Sequence, residues 1–449
     1  MNHTIKIKRG LDIPLGGDAE RIVVDKRSEE RYAVKPPNVV GFTPRLLVAE
    51  GDVVVAGQPL VEDKRDPRLC LPSPVSGKVA AIVRGEKRKL LEVVVCRNKR
   101  NNQNTQSTPN TLTPDSPVWW MLRERPFGTI ANPDHKPKGI FVSMRDTTPL
   151  APDIAFALKG REHEFEAGIE ALKAYGEVHV VHAEGPHPAG NIGTIVAALD
   201  PINKGECIWH VGAQDVANIG RWVTTGEYRP ERVIAVGGPA AKSPKYYRVI
   251  CGASIKQIAD VQLMNPSYPS TVGDGSTVAA TRIISGSPLS GNRIAEDGFL
   301  GLYDQQLTFI EEGDHYEFMG WLMPGLKKFS FSKTFLSGFL RLLPTANCQL
   351  NSTPTPTAPS VPSSSRALLK RSSPSTSTPC SSSRPASWAT SSCRSSWAST
   401  RWNPRTSPSA SSSTLPRLKY RPSSARPSRS SERRLPHESE MARTMVREN

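Results

Sequence analysis

A lysine placed for covalent chemistry is the first candidate in this 449-residue sequence. Lys64 ends the stretch EGDVVVAGQPLVEDK, residues 50–64, whose alternating apolar residues and glycines predict short strands joined by turns. A second turn, SPVSG, follows at residues 73–77. An exposed lysine at a hairpin tip can carry a swinging acyl or carboxyl group, so modification of Lys64 is one hypothesis.

The two hairpins resemble those of lipoyl domains, and they predict a barrel-sandwich hybrid. The modification itself is less well supported. The tip continues as RDPRLCL, which is longer than the usual lipoyl hairpin, and Pro67 changes its path. The MKM sequence typical of biotin carriers is absent. The favoured interpretation of Lys64 is therefore a solvated turn lysine.

Glycine-rich and histidine-containing stretches offer little further chemistry. EGPHPAGNIG (184–193) lacks the strand–GxGxxG–helix order of a dinucleotide loop, and VGGPAAKSP (236–244) has prolines where a phosphate site needs free N–H groups. His179 and His182 are three apart in a predicted strand, so their side chains point to opposite faces. The sequence predicts no catalytic residue, no cofactor-binding loop and no metal site.

The seven cysteines are scattered and include no C-x-x-C pair. Neither a disulfide framework nor an iron–sulfur cluster is expected from this spacing. The first four, Cys70, Cys96, Cys207 and Cys251, are interpreted as buried structural thiols.

Strands that alternate with helices between residues 139 and 250 predict a parallel α/β sheet. The stretches GIFVSM, EVHVVHA, ECIWHVG and RVIAVGG are the predicted strands. HEFEAGIEALKAYG places Phe165, Ile169 and Leu172 on one face of a helix, with Gly176 just past its end. Short β segments return from residue 251.

The C-terminal segment has a different composition from the rest of the chain. Residues 351–449 contain 29 serines and 13 prolines, and 16 Lys and Arg against 4 Asp and Glu, whereas residues 1–350 have 42 against 38. This composition predicts disorder. Tryptophans and cysteines scattered through it favour a frameshift near residues 341–350, with a natural basic tail as the alternative. Because the basicity belongs to the tail, no nucleic-acid partner is expected.

Several collinear motifs between residues 5 and about 340 resemble the family formed by the A subunit of the Na+-translocating NADH:quinone oxidoreductase. They include IKIKRGLDIPLGG, EDKRDP, SPVSGKV, RERPF, GPHPAG, IISGSPLSG and EFMGWLMPGLKKFS. Two departures stand out: the tail replaces the family's C-terminal helical region, and Ile195 stands where a histidine is often found.

The predicted organisation is a barrel-sandwich hybrid (1–97), a linker and connecting segment (98–138), a Rossmann-like α/β domain (139–250), a β-grasp domain of the soluble-ligand-binding type (251–326), the start of the helical region (327–343) and the tail, read as out of frame (344–449).

The resemblance implies a peripheral subunit on the cytoplasmic face of the bacterial inner membrane, in a translocase that oxidises NADH, reduces ubiquinone and pumps Na+. Its partners are the other subunits, which hold the flavins and the iron–sulfur centre, and it contacts the membrane through the complex. The chain itself binds no covalent cofactor and is not catalytic alone. The alternative is a lipoyl- or biotinyl-type carrier modified on Lys64.

Ubiquinone is the ligand that the resemblance suggests for this protein. Quinones need apolar burial for the tail and hydrogen bonds for the carbonyls. The residues chosen on that basis are Arg125 and Phe127 in RERPFG and Phe42 and Arg45 in VGFTPRL. Packing of one domain on another is the competing interpretation of these side chains.

Overall fold

The computed structural model describes residues 2–27, 29–98, 110–263, 270–271, 277–278 and 280–312. The predicted helical start at 327–343 and the tail at 344–449 lie outside the described residues. No helix among the described residues is long and apolar enough to cross a membrane.

The described residues form twenty-one strands and five α-helices. The strands are β1 (Asn2–Lys6), β2 (Glu20–Asp25), β3 (Arg31–Val34), β4 (Pro44–Leu46), β5 (Val53–Val54), β6 (Pro59–Asp63), β7 (Cys70–Pro72), β8 (Gly77–Arg84), β9 (Leu90–Arg97), β10 (Arg123–Arg125), β11 (Thr129–Ile130), β12 (Ile140–Ser143), β13 (Val178–Glu184), β14 (Ile208–Gly212), β15 (Glu231–Gly237), β16 (Lys245–Ile250), β17 (Ser270–Thr271), β18 (Thr277–Val278), β19 (Thr281–Ser285), β20 (Asn292–Ile294) and β21 (Gln306–Glu311). The helices are α1 (Ile154–Leu158), α2 (Glu162–Lys173), α3 (Ile192–Leu199), α4 (Ala213–Thr225) and α5 (Lys256–Gln262).

Two antiparallel sheets make up the predicted barrel-sandwich hybrid. One has the order β3-β9-β8-β5 and the other β4-β6-β7. Tyr32, Val93 and Val95 of the first sheet share one buried cluster with Leu60 and Leu71 of the second. Alternate residues of β3 and β9 face this common interior, as the period-2 pattern predicts, whereas the consecutive Leu60 and Val61 of β6 both join it beside a register shift in the β6–β7 pairing.

A six-stranded sheet with the order β1-β13-β12-β14-β10-β11 forms the α/β part. The strands β1, β13, β12 and β14 are parallel, and β10 joins β14 in the antiparallel sense. The predicted helix is α2, which buries Leu172. Its Gly168 packs against α4 so closely that an added Cβ would lie 2.1 Å from Val216 O. This glycine allows the two helices to cross in contact.

A second six-stranded sheet has the order β2-β16-β15-β21-β19-β20. It contains β15, which is predicted as a strand of the parallel sheet, and β16, which lies within the predicted Rossmann-like range 139–250. The physical reason for the difference is that β14 has no free edge, because β12 and β10 already flank it. The two N-terminal strands also belong to different sheets: β1 joins the α/β sheet and β2 joins this one.

Candidate functional site

Lys64 is solvent-exposed directly after β6, but its loop is joined to other segments of the same chain. Its backbone N–H donates to Thr43 O at 2.9 Å. Arg68, later in the same loop, forms ion pairs with Asp66 at 2.9 Å and with Asp134 at 2.7 Å. The loop is therefore fastened at two points, whereas a swinging-arm lysine needs a hairpin that projects freely.

The side chains predicted to meet a quinone come from two segments that touch, one formed by β4 and the loop before it and the other by the β10–β11 hairpin. Gly41 has φ of +74°, and a Cβ added to it would lie 3.0 Å from Thr129 Cγ2. Phe127, in the hairpin turn, is 72% exposed, and Val40 is 43% exposed. Phe42 packs partly on the main core. We give the name apolar edge to the three apolar residues of these two segments, Val40, Phe42 and Phe127.

The two predicted arginines differ in their environments. Arg45 is exposed and ion-paired with Glu62 across β4 and β6. Arg125 is half-buried, and its guanidinium lies close to Gly193 at the start of α3. A Cβ added to Gly193 would lie 3.3 Å from Arg125 Nη2. Burial, and then the nearby Arg123, lower the pKa of Arg125 to about 10. Within the described ranges its guanidinium has no hydrogen-bond or ion-pair partner, so its donors are available to a ligand.

A separate cleft of about 540 Å³ opens where β12 and β13 end. The carboxyl ends of parallel strands are the usual ligand position in open α/β sheets. None of the four predicted quinone residues lines the cleft. Its charged and titratable lining residues are Asp18, Arg21, Arg145, Asp146, Asp153, His182, Glu184 and Tyr246. Sequence reasoning missed it because these residues come from four distant segments.

Asp153 organises the wall of this cleft. Its carboxylate accepts from Phe156 N at 3.2 Å, which caps α1, and from Arg21 Nη2 at 2.8 Å. Its own N–H donates to the hydroxyl of Tyr246 at 3.0 Å, and burial raises the pKa of that tyrosine. These groups satisfy one another's hydrogen bonds, and they hold the start of α1 next to β16 at the wall of the cleft.

The glycine-rich loop 184–193 is a structural turn packed on the N-terminal segment. His187 O accepts from Leu11 N at 2.8 Å, and His187 N donates to Asp12 Oδ1 at 2.9 Å. Gly185 has φ of +131°, a conformation that favours glycine. The loop is thus occupied by the protein's own chain, in agreement with the predicted structural turn.

One group of metal-ligating side chains comes together among the described residues, although the sequence predicts no metal site. Ligand atoms of Glu124, His135 and Cys207 all lie within 4.8 Å of one another. Cys251 is buried as predicted, but Cys70, Cys96 and Cys207 are partly exposed. The sequence spacing of the three residues does not predict a metal site, because strand pairing brings them together from distant positions.

Three models of one family match successive parts of the chain. The NqrA N-terminal barrel-sandwich hybrid domain matches residues 5–98, the NqrA second alpha/beta domain matches 104–184 and 173–228, and the NQRA C-terminal domain matches 233–296. A solved NAD+-reducing [NiFe]-hydrogenase chain matches 48% of this chain and 44% of its own length at 10% identity. Its TM-score of 0.27 is too low to support an argument.

Relatives named as the A subunit of Na(+)-translocating NADH-quinone reductase match most of the chain. That of Rhodopirellula baltica is 36% identical over 367 residues, 74% of this chain and 78% of its own length. That of Yersinia pseudotuberculosis is 36% identical over 371 residues, 75% and 80% of the two lengths. That of Pasteurella multocida is 35% identical over 373 residues, 76% and 80% of the two lengths. The chain therefore belongs to the NqrA family, the A subunit of Na(+)-translocating NADH-quinone reductase.

Proposed function

We propose that this chain is a peripheral subunit of a membrane complex that oxidises NADH, reduces ubiquinone and pumps Na+ out of the cytoplasm. The observation that carries the proposal is the match of three successive family models, which together cover residues 5–296 with short gaps. In this proposal the other subunits supply the flavins and the iron–sulfur centre. The chain lies on the cytoplasmic face of the membrane and is not catalytic by itself.

The finer fold assignments belong to the same proposal. A Rossmann-like α/β domain is supported by the parallel order β13-β12-β14, with α2 packed on one face and α3 on the other. A β-grasp domain of the soluble-ligand-binding type would then contain β15 to β21. In this arrangement β15 starts the third domain, close to the start of the third family match at residue 233.

The apolar edge and Arg125 are the proposed quinone contact. Phe127 offers an exposed aromatic face and Phe42 a partly buried one, which suits an apolar ring and tail. The Arg125 guanidinium, unpaired within the described ranges, can donate to a quinone carbonyl. Arg45 lies on the neighbouring segment, but its pairing with Glu62 makes it the weaker donor.

The proposed role in the complex is tested by measuring assembly with the other subunits and the activity of the assembled complex. A host that lacks its own NqrA protein would express this chain together with the remaining subunits of the reductase. We expect the tagged chain to co-purify with those subunits, and inverted membrane vesicles to regain NADH-driven quinone reduction and Na+ uptake. Vesicles that contain the assembled subunits but reduce quinone equally well without this chain would overturn the proposal.

A further inference from the structure

We propose that Glu124, His135 and Cys207 form a binding site for one divalent transition-metal ion, of which zinc fits best. The His135 Nδ1 lies 3.0 Å from Glu124 Oε1, and the Cys207 sulfur completes a group whose ligand atoms all lie within 4.8 Å of one another. This inference does not depend on the proposed quinone contact or on assembly of the complex.

The donor set selects the kind of ion. Thiolate, imidazole and carboxylate are the ligands that zinc prefers, at bond lengths of about 2.0–2.3 Å, so ligand atoms around a tetrahedral ion lie about 3–4 Å apart. The 3.0 Å between His135 Nδ1 and Glu124 Oε1 matches that arrangement, and the outer limit of 4.8 Å means that the side chains must move slightly closer to close around an ion. Magnesium and calcium prefer oxygen ligands throughout, and a thiolate disfavours them. Three protein ligands leave the fourth position for water.

Backbone pairing holds the three ligands in position without an ion. Glu124 lies opposite Trp209 in the β10–β14 pairing, and Trp209 is two residues after Cys207 in the sequence. Lys138 N donates to Cys207 O at 2.8 Å, which joins the turn that carries His135 to the strand that follows Cys207. The site is therefore largely preorganised, and binding needs side-chain adjustment rather than refolding.

The surroundings also resemble those of a metal site. Asn132 N donates to the second carboxylate oxygen of Glu124 at 3.2 Å, and such an outer contact orients a ligating carboxylate. The Cys207 thiol donates a weak hydrogen bond to Lys136 O at 3.6 Å, which metal binding would replace because a ligating thiol loses its proton. The His135 side chain is 53% exposed, whereas that of Glu124 is 14% exposed, so an ion can enter from the solvent side.

A bound ion would fasten the edge of the α/β sheet. It would link β10 to the turn that carries His135 and to Cys207, the residue just before β14. The β10–β11 hairpin is the part of the sheet that carries Phe127, so the ion would stiffen the hairpin that presents the apolar edge.

Cobalt and zinc titration of the tag-free full chain under reducing conditions tests the site. We expect one Co2+ per chain to give a thiolate-to-metal absorption band in the near ultraviolet, and Zn2+ to displace it. We expect Cys207→Ser to lose that band. We expect His135→Asn, at a side chain that is 53% exposed, to weaken Zn2+ binding by about tenfold or more while the far-ultraviolet circular dichroism of the chain stays unchanged.

Cys96→Ser is the matched control, because it removes a partly exposed cysteine from a different sheet. It should keep the band and the affinity of the parent chain. Zinc should also protect Cys207 from alkylation in the parent chain and in Cys96→Ser. Absence of the band in a folded chain, or an unchanged band in Cys207→Ser, would overturn the proposal.

Discussion

The side-chain amide of Gln214 forms two hydrogen bonds with the backbone of Val233. Its Nε2 donates to Val233 O at 2.9 Å, and its Oε1 accepts from Val233 N at 2.7 Å. One turn later on α4, Asn218 Nδ2 donates to Glu231 O at 3.0 Å. The helix α4 therefore completes the hydrogen bonding at the first half of β15, and β21 pairs with the second half from Ala235 onward. In this way α4 connects the two six-stranded sheets.

Replacing Gln214 by leucine should destabilise this connection. The N–H and C=O groups of Val233 would stay buried without partners, at about 1–3 kcal/mol for each group. We expect a lower free energy of unfolding in denaturant titrations. Gln257→Leu, at an exposed position on α5, is the matched control and should change stability much less. Equal stability of the two variants would contradict the role given to Gln214.

The buried ion pair between Arg232 and Asp215 gives a second stability prediction. Arg232 is 0% exposed, and it also donates to Leu302 O at 2.6 Å. Arg232→Met leaves a buried carboxylate uncompensated, so we expect a loss of about 3–5 kcal/mol in the free energy of unfolding. Arg232→Met combined with Asp215→Leu should recover much of that loss. A double variant as unstable as Arg232→Met would show that the contact with Leu302 matters more than the ion pair.

Stability should depend on pH through His210. Burial, and then the Arg123 and Arg125 guanidinium groups, hold its pKa well below the ordinary 6.5. Below pH 6.5 the unfolded chain binds a proton that the folded chain excludes, so stability falls as the pH drops towards the folded pKa. The slope from this group is at most about 1.4 kcal/mol per pH unit.

Urea unfolding between about pH 5 and pH 8 measures this dependence. We expect His210→Gln to reduce the slope. His179 and His187 have pKa values lowered mainly by burial, so they contribute in the same direction and some slope should remain. An identical slope in the parent chain and His210→Gln would show that His210 is not the titrating group.

The apolar edge gives a prediction on ligand affinity. We expect Phe127→Ala and Arg125→Gln each to weaken ubiquinone binding by about tenfold, because each removes one good apolar or charge-assisted contact. The measurement is the KM for a short-chain ubiquinone in the assembled complex. Val53→Ala is the control, since Val53 is 73% exposed on β5. Unchanged KM values in both test variants would discard this quinone contact.

Lys64 should carry no modification. Its loop is fastened by Thr43 and by the Arg68–Asp134 ion pair, so a modifying enzyme would have to detach it before gripping the lysine. The intact mass of the purified chain should match the unmodified sequence, and Lys64→Arg should support the same turnover in the complex. A lipoyl or biotinyl mass increment would instead support the carrier hypothesis.

Local patterns were sufficient for the elements whose structure depends on near neighbours. The period-2 hairpins of the barrel-sandwich hybrid and the helix that buries Leu172 follow from residues close in sequence. The segments predicted to meet a quinone were chosen from short motifs, and Gly41 of one lies close to Thr129 of the other. The sequence also carried the family resemblance, because its motifs are long and occur in a fixed order.

Only the tertiary structure decided which elements share a sheet and which distant side chains meet. Antiparallel β10 takes the free edge of β14, so β15 joins a different sheet and Gln214 completes its backbone bonding. The same pairing brings Glu124 next to Cys207 across more than eighty positions of sequence. A local pattern shows which face of a strand is apolar, but it does not encode the partner on the other edge. That choice depends on the competition among all strands for free edges, which is settled only when the whole chain packs.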